Sequence, residues 1–182
     1  MSPEPTTQSY SSPARDEATG LWKRESLLTL LFPETDRVQR MGTSLGFLLL
    51  DVDHFGNVNT QHGREAGDKI LKELGARLRR FMRSYDLLGR IRDDEFLIAL
   101  PGCASAQALQ LAARIRTVLL RPPFASGHQI VALTISIGLA QSRGRSPLIV
   151  LREAEHALAE AKRNGRNCER EYIPPQHKHR PA

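Results

Sequence analysis

Apolar residues along this chain fall into short runs and into longer stretches with helical spacing. Residues 45–52 form a nearly continuous apolar run, which predicts a buried central strand. Residues 64–83 carry apolar positions three and four residues apart and predict an amphipathic helix. Two shorter apolar runs, 87–91 and 96–100, enclose a polar segment and therefore predict a β-hairpin.

The remaining segments predict three further helices and one further strand. Pro33 predicts a break or kink in the first of these helices, and Asn164 and Gly165 predict the end of the last one. Because helices and strands alternate imperfectly, the pattern favours an α+β fold. We expect a ferredoxin-like sandwich in which helices flank a central, mainly antiparallel sheet of about five strands. The helices are predicted at 20–39, 104–120 and 146–163, and the strand at 130–140.

The two ends of the chain differ in composition from its middle. Residues 1–15 are rich in Ser, Pro and Thr, which predicts a disordered tail or linker. Residues 171–182 predict a flexible C-terminal tail, so that a single domain is expected over 16–170. Hydrophobic residues make up 40% of the 182-residue chain and charged residues 25%, which is enough apolar material for a real core.

Composition argues against several classes of protein. No run of about 18 apolar residues occurs, so we expect no membrane span in this chain. The two cysteines, Cys103 and Cys168, form no CxxC pair, which argues against a zinc cluster and favours a reducing, cytoplasmic compartment. The net charge of +6 is scattered rather than massed, so nucleic acid is not an expected partner.

Candidate chemistry begins with three acidic residues. Asp51 and Asp53 close the predicted central strand, and Asp94 lies in the predicted hairpin. Carboxylates at the end of a buried strand, facing others on an adjacent hairpin, can hold Mg²⁺ against phosphates. Acidic residues at strand ends are also commonly just solvated, and spacing alone leaves both interpretations open.

The residues that follow Asp51 resemble the signature of a known family. The run Asp51-Val-Asp-His-Phe-Gly-Asn-Val-Asn59 and the later run His62-Gly-Arg-Glu-Ala-Gly-Asp68 are similar to the DIDHFKxIND and GHxxGD motifs of the GGDEF diguanylate cyclases. The match covers about residues 16–167. Further segments are similar to the same family in the same order: 16–24, 92–96, 136–140, 157–162 and 165–167.

This resemblance implies a nucleotide-cyclase palm and a defined chemistry. Members condense two GTP molecules into cyclic di-GMP when two domains, each holding one GTP with Mg²⁺, meet face to face as a homodimer or domain pair. The resemblance implies that Asp51, Asp94 and the backbone carbonyl of Val52 hold Mg²⁺, and that Asp94 and Glu95 belong to the catalytic motif.

The same resemblance implies how GTP is held. Asn59 and Asp68 match the positions that bind guanine, where a carboxylate can accept hydrogen bonds from the ring N1–H and the exocyclic amine together. Lys162 and Arg166 match the positions that grip the terminal phosphates.

A second nucleotide site is implied by Arg83-Ser-Tyr-Asp86, which resembles the family's inhibitory RxxD motif. There an arginine fork grips phosphate of cyclic di-GMP while the aspartate accepts from guanine. Arg114, on the next predicted helix, matches a further arginine of this site. RxxD alone is common at solvated helix ends. The spacing of this motif from Arg92, which is the spacing of the family, and the presence of Arg114 favour cyclic di-GMP as a partner.

The GGDEF signature itself is altered, because Arg92 and Asp93 stand in place of its two glycines. We expect glycine at the second position to serve a tight turn close to substrate. Asp93 is therefore expected to add backbone strain, and also negative charge beside a triphosphate. Gly56, Thr60 and Ala159 stand where the family usually has lysine, aspartate and tyrosine.

Three functions follow from these residues. The first is a degenerate GGDEF domain that binds cyclic di-GMP at the RxxD site and has weak or no cyclase activity. The second is an active diguanylate cyclase. The third is a module that dimerises within a larger signalling protein and binds no nucleotide. Catalysis requires the hairpin, sensing requires the RxxD site, and the third function requires neither.

Overall fold

The computed structural model describes residues 14–126 and 129–175. The described strands are β1 (Trp22–Lys23), β2 (Leu45–Val52), β3 (Leu87–Arg90), β4 (Glu95–Pro101), β5 (Phe124–Ser126), β6 (Gln129–Val131), β7 (Ile135–Gln141) and β8 (Glu169–Glu171). The described helices are α1 (Arg24–Arg40), α2 (Phe55–His62), α3 (Arg64–Phe81), α4 (Ser105–Arg114) and α5 (Pro147–Arg163). A π-helical turn, Ile115–Leu119, continues directly from α4.

The main sheet has six strands in the order β1-β3-β4-β2-β7-β8, and β5 pairs with β6 in a separate ribbon. The central strand β2 is antiparallel to both β4 and β7, whereas the edge pairs β1–β3 and β7–β8 are parallel. The predicted α+β class and the mainly antiparallel sheet are confirmed. The sheet has six strands rather than the expected five. The sequence pattern did not reveal its edge strands, because they are only two and three residues long and are too short to show a hydrophobic period.

Strand β2 is buried along its whole length, which explains its unbroken apolar run. Its side chains alternate between the two faces of the sheet. Leu48, Leu50 and Val52 pack in a core with α3, α4 and the π-helical turn. Phe47 and Leu49 pack on the opposite face with α1 and α5. The same alternation puts Asp51 on the α5 face.

Three predicted elements differ from the structure in a way that follows from packing. Pro33 does not end the first helix, since α1 runs through it with Leu31 and Val38 buried on either side. The predicted strand 130–140 is divided into β6 and β7. The predicted helix 104–120 changes to a π-helical turn after Arg114. Helix α2, which the apolar pattern does not predict, buries only two of its residues.

The inner ends of both predicted tails contact the domain. The Arg15 guanidinium lies 3.7 Å from the centroid of the Trp22 ring. The Tyr172 backbone N–H donates to the Leu139 carbonyl at 2.8 Å. The rest of the predicted tails, 1–13 and 176–182, lies outside the described residues. Among the helices that are described, none is both long and apolar enough to cross a membrane.

Candidate functional site

The ends of β2 and β4 bring the predicted metal residues to one edge of the sheet. Asp51 is only 8% exposed, and it lies opposite Glu95 in the β2–β4 register. Asp94 directly precedes β4, and its backbone carbonyl accepts a hydrogen bond from Val52 N–H at 3.3 Å. Asp51, Val52 and Asp94 therefore lie together, as a shared site requires.

Helix α5 adds a cation to this carboxylate pair. The Nζ of Lys162, in the last turn of α5, lies 2.6 Å from Oδ2 of Asp51. Burial raises the pKa of Asp51 above its ordinary value, although Lys162 and the charge of Arg166 oppose the shift. Burial, and then the charge of Asp51, likewise raise the pKa of Asp94. The acidic edge thus carries an electrostatic cost that a bound cation would offset.

The donor set suits Mg²⁺ that arrives with a phosphate ligand. Across the described ranges, no group of three or more His, Cys, Asp or Glu side chains is arranged to hold an ion. Asp51 and Asp94 supply two carboxylates, and Val52 can add a carbonyl. Because Mg²⁺ keeps several waters and is usually bound by one or two carboxylates plus substrate phosphates, such a set fits it.

Asp53, which the sequence groups with these acids, is engaged elsewhere. Its carboxylate is buried and accepts three hydrogen bonds, from Thr134 Oγ1 at 2.7 Å, Ser136 Oγ at 2.7 Å and Asn167 N at 3.0 Å. These donors come from residues 81, 83 and 114 positions away along the chain, so the sequence pattern gave no signal for them.

The segment that Asp53 holds is a left-handed turn after α5. Gly165, Arg166 and Asn167 have φ angles of 96°, 62° and 45°. For a residue with a side chain this conformation costs about 1–2 kcal/mol, so its contacts must hold it. The turn carries Arg166, whose charge acts on Asp51. Lys162 and Arg166 are thus on the same side of the molecule as the acidic edge.

The residues predicted to bind guanine come from two consecutive helices. Asn59 is half-buried on α2, and Asp68 is exposed on α3. A Cβ at Gly67 would collide with Oδ1 of Asn59. Gly67, which precedes Asp68, therefore makes room for the Asn59 amide, a role that the motif alone does not reveal.

The altered hairpin is not strained in the way the sequence suggests. Asp93 is not among the described non-glycine residues with positive φ, so the backbone strain expected at this position is absent. The Arg90 guanidinium donates to the Asp93 carbonyl at 2.6 and 3.0 Å and holds the turn. The charge effect remains, because Asp93 contributes, after burial and Asp51, to raising the pKa of Asp94.

Arg92 brings one positive charge to the same hairpin. Its guanidinium lies 3.7 Å from a Glu95 oxygen and 3.4 Å from a Glu155 oxygen, which links the hairpin to α5. Burial raises the pKa of Glu95, and the Arg92 charge opposes that shift. Gly56 is exposed, and no described atom lies within 4 Å of a Cβ built at that position.

A cavity of about 380 Å³ lies between the end of α3, the end of β4 and α4, and it is lined by Arg83, Asp86 and Arg114. Asp86 is 5% exposed, and its Oδ2 accepts a hydrogen bond from the Arg83 backbone N–H at 2.8 Å. Both arginine side chains are exposed at the cavity, with the Arg114 guanidinium 5.1 Å from the centroid of the Phe81 ring. The structure thus brings the three predicted residues together.

The groups that line this cavity could bind a phosphate. Two guanidinium groups offer forks of N–H donors that match phosphate oxygens. Burial raises the pKa of Asp86, and the Arg83 backbone N–H and charge oppose this shift. Within the described residues, no hydrogen bond reaches Oδ1 of Asp86, which leaves that oxygen available to a ligand donor.

Comparison with known proteins finds a protein family and curated relatives that match this chain. A family described as "Diguanylate cyclase, GGDEF domain" matches residues 13–168. The response regulator PleD of Caulobacter vibrioides is 35% identical over 84% of this chain and 35% of its own length. The diguanylate cyclase DgcP of Pseudomonas aeruginosa is 35% identical over 84% of this chain and 23% of its own. The chain thus spans about a third or less of the length of these relatives.

Solved structures agree with the sequence comparisons. The GGDEF domain of DgcB from Caulobacter crescentus, in complex with c-di-GMP, superposes with a TM-score of 0.83 at 25% identity. The match covers 89% of this chain and 97% of that one. Diguanylate cyclase SiaD from Pseudomonas aeruginosa, in complex with its activator SiaC, superposes with a TM-score of 0.80 at 35% identity, over 85% and 60% of the two chains.

Proposed function

Since this chain belongs to the GGDEF domain family of cyclic-di-GMP signalling, homologous to diguanylate cyclases, we propose that it is a degenerate member that binds cyclic di-GMP and has weak or no cyclase activity. The observation that carries this proposal is the cavity shared by Arg83, Asp86 and Arg114. The DgcB relative, whose GGDEF domain was solved with c-di-GMP, supports the ligand.

The cavity can hold cyclic di-GMP through complementary groups. The Arg83 and Arg114 guanidinium groups bind phosphate oxygens, and Asp86 accepts hydrogen bonds from the guanine edge. The Oδ2 bond to Arg83 N–H fixes the Asp86 carboxylate before a ligand arrives. Preorganisation of this kind lowers the entropic cost of binding. We expect two stacked ligand molecules per cavity.

Weak catalysis follows from charge at the other site. GTP would bring its triphosphate to an edge that already holds the carboxylates of Asp51 and Asp94, with Asp93 beside them. Gly56 offers no cation where the family usually has lysine. Arg92 is engaged with Glu95 and Glu155. The metal ligands are thus retained while positive charge for the phosphates is reduced.

An active cyclase is the second candidate, and the retained residues favour it. Bound Mg²⁺ would neutralise charge on the reacting phosphoryl group. Asn59 and Asp68 would orient guanine. Lys162 would release Asp51 and, together with Arg166, would bind the terminal phosphates. Two such domains facing each other would align the 3′-hydroxyl of one GTP with the α-phosphate of the other.

One calorimetry experiment, with cyclic di-GMP and with GTP on the same sample, separates these functions. We expect cyclic di-GMP to bind at micromolar or better affinity with two molecules per chain. GTP that turns over, with no cyclic di-GMP binding, would instead establish the active cyclase. A chain that binds neither nucleotide would be a dimerising interaction module.

Magnesium dependence provides a separate test of the acidic edge. We expect Mg²⁺ to strengthen GTP binding by on the order of tenfold relative to EDTA. Asp51→Asn should abolish that gain because it removes one of two carboxylate ligands. Asp93→Asn is the matched control. It removes an exposed carboxylate that directly precedes Asp94 but is not a proposed ligand, and it should keep the Mg²⁺ effect. Equal Mg²⁺ effects in the native chain and in Asp51→Asn would place the metal elsewhere.

A further inference from the structure

The turn at 165–167 is held from two sides by residues that no motif singles out. On one side, Asp53 Oδ2 accepts from Asn167 N–H at 3.0 Å. On the other, Arg116 of the π-helical turn donates from Nη1 to Oδ1 of Asn167 at 3.3 Å. Two of the three residues in this turn are non-glycine residues with positive φ, so the conformation depends on contacts such as these.

Asp53 joins the turn to the acidic edge of the sheet. It lies two residues after Asp51, and its carboxylate is 5% exposed. Besides Asn167 it binds the hydroxyls of Thr134 and Ser136, at and just before the start of β7. One buried side chain therefore links the end of β2, the start of β7 and the turn after α5.

Arg116 fixes the other side of the same turn. Its Nε lies 2.9 Å from Oε2 of Glu169, the first residue of β8. Because the planar guanidinium bonds Glu169 and Asn167 together, it holds both ends of the short segment 167–169. The Arg116 side chain is 23% exposed, so the pair is partly shielded from solvent.

We propose that Asp53 and Arg116 are positioning residues that hold the 165–167 turn so that Arg166 faces the terminal phosphates of a bound nucleoside triphosphate. The inference rests on the triphosphate site described under the proposed function. Neither residue touches the nucleotide. Asp53 sets the turn relative to Asp51, and Arg116 keeps it from relaxing toward solvent.

The experiment compares affinities for GTP and for GMP, which lacks the terminal phosphates, at one Mg²⁺ concentration. In Asp53→Ala and in Arg116→Ala, we expect the preference for GTP over GMP to fall about tenfold. The affinity for GMP should be unchanged, because Asn59 and Asp68 lie on α2 and α3. Asp53→Asn keeps an amide oxygen that can accept from Asn167 N–H and should restore most of the preference.

Controls separate a positioning role from a general loss of structure. Arg121→Ala removes an exposed arginine near the same π-helical turn and should leave the preference intact. The proposal is overturned if Arg116→Ala keeps the native preference, if both nucleotides weaken in parallel, or if the native chain does not prefer GTP to GMP. Because Arg116 is partly exposed, its variant provides the test even where Asp53→Ala does not fold.

Cyclic di-GMP binding, measured on the same native sample, tests the proposed function separately. If the native chain fails to bind cyclic di-GMP but both variants lose the GTP preference, the sensor function is wrong and the positioning inference stands. If the native chain binds cyclic di-GMP while the preference is unaffected by either variant, the inference is wrong and the sensor function stands.

Discussion

Two copies of this chain, held side by side by a fused leucine zipper, are expected to make cyclic di-GMP from GTP about two to four orders of magnitude below ordinary enzyme rates. The zipper supplies the face-to-face geometry, so a low rate reports on the site itself. Each uncompensated charge contact costs about 1–3 kcal/mol in the transition state, and about 1.4 kcal/mol corresponds to tenfold in rate. Asp93 and the missing cation at Gly56 each contribute one such cost.

Rescue variants in the same fusion identify the cause. The double change Arg92→Gly, Asp93→Gly should recover part of the activity. Because Asp93 does not have positive φ, Asp93→Asn, which removes the charge and keeps the shape, should recover about as much as Asp93→Gly. Asp36→Asn, an exposed carboxylate on α1, is the matched control and should recover none.

Three outcomes would change this account. Native zipper fusions that turn over GTP at ordinary rates would show that the altered hairpin is a tolerated variant and that the chain is an enzyme. Recovery by Asp93→Gly but not by Asp93→Asn would mean that backbone freedom, rather than charge, limits the hairpin. Failure of every hairpin variant would place the defect at Gly56 and Ala159, and Gly56→Lys would then be the next change to assay.

Arg83→Ala is expected to weaken cyclic di-GMP binding by about tenfold to a hundredfold, the effect of losing a charged, bidentate phosphate contact. The substitution keeps the Arg83 backbone N–H, whose hydrogen bond to Asp86 holds the turn. We therefore expect the melting temperature to stay close to that of the native chain. Titration calorimetry measures the affinity, and thermal denaturation without ligand checks the fold.

The arginine pair offers an internal comparison. Arg114→Ala should show a loss of similar size, since Arg114 lines the same cavity from α4. Arg80→Ala, three residues before Arg83 and outside that cavity, should bind normally. Identical titrations of the native chain and Arg83→Ala would mean that cyclic di-GMP binds elsewhere or not at all.

Part of the site was predictable from sequence because its residues lie within continuous motifs. The strand end at Asp51 and the hairpin around Asp94 predicted acids that meet at one edge of the sheet. The structure brings Asp51 and Asp94 together there, with Lys162 beside Asp51. The RxxD residues and Arg114 likewise share one cavity. Their roles toward nucleotide and metal stay predictions that the experiments above test.

Other features were not predictable, since they depend on residues far apart in the chain. Asp53 looked like a third metal-site acid, yet its partners are supplied by β7, the residue before it and the turn after α5. Arg116 lies 51 residues from Asn167 and belongs to no recognised motif. The short edge strands gave no periodic signal, and their pairing is set by the neighbours they find in the sheet.

By itself, the sequence determined the family, the α+β class and the long elements. It could do so because a buried strand such as β2 must be apolar throughout, and an amphipathic helix such as α3 must repeat with the helical period. Only the tertiary structure decided that Asp93 is unstrained, that Asp53 is a buried acceptor, and that Lys162 pairs with Asp51. Backbone angles and hydrogen-bond partners depend on which distant segments pack together, and a local pattern of residue types does not record that packing.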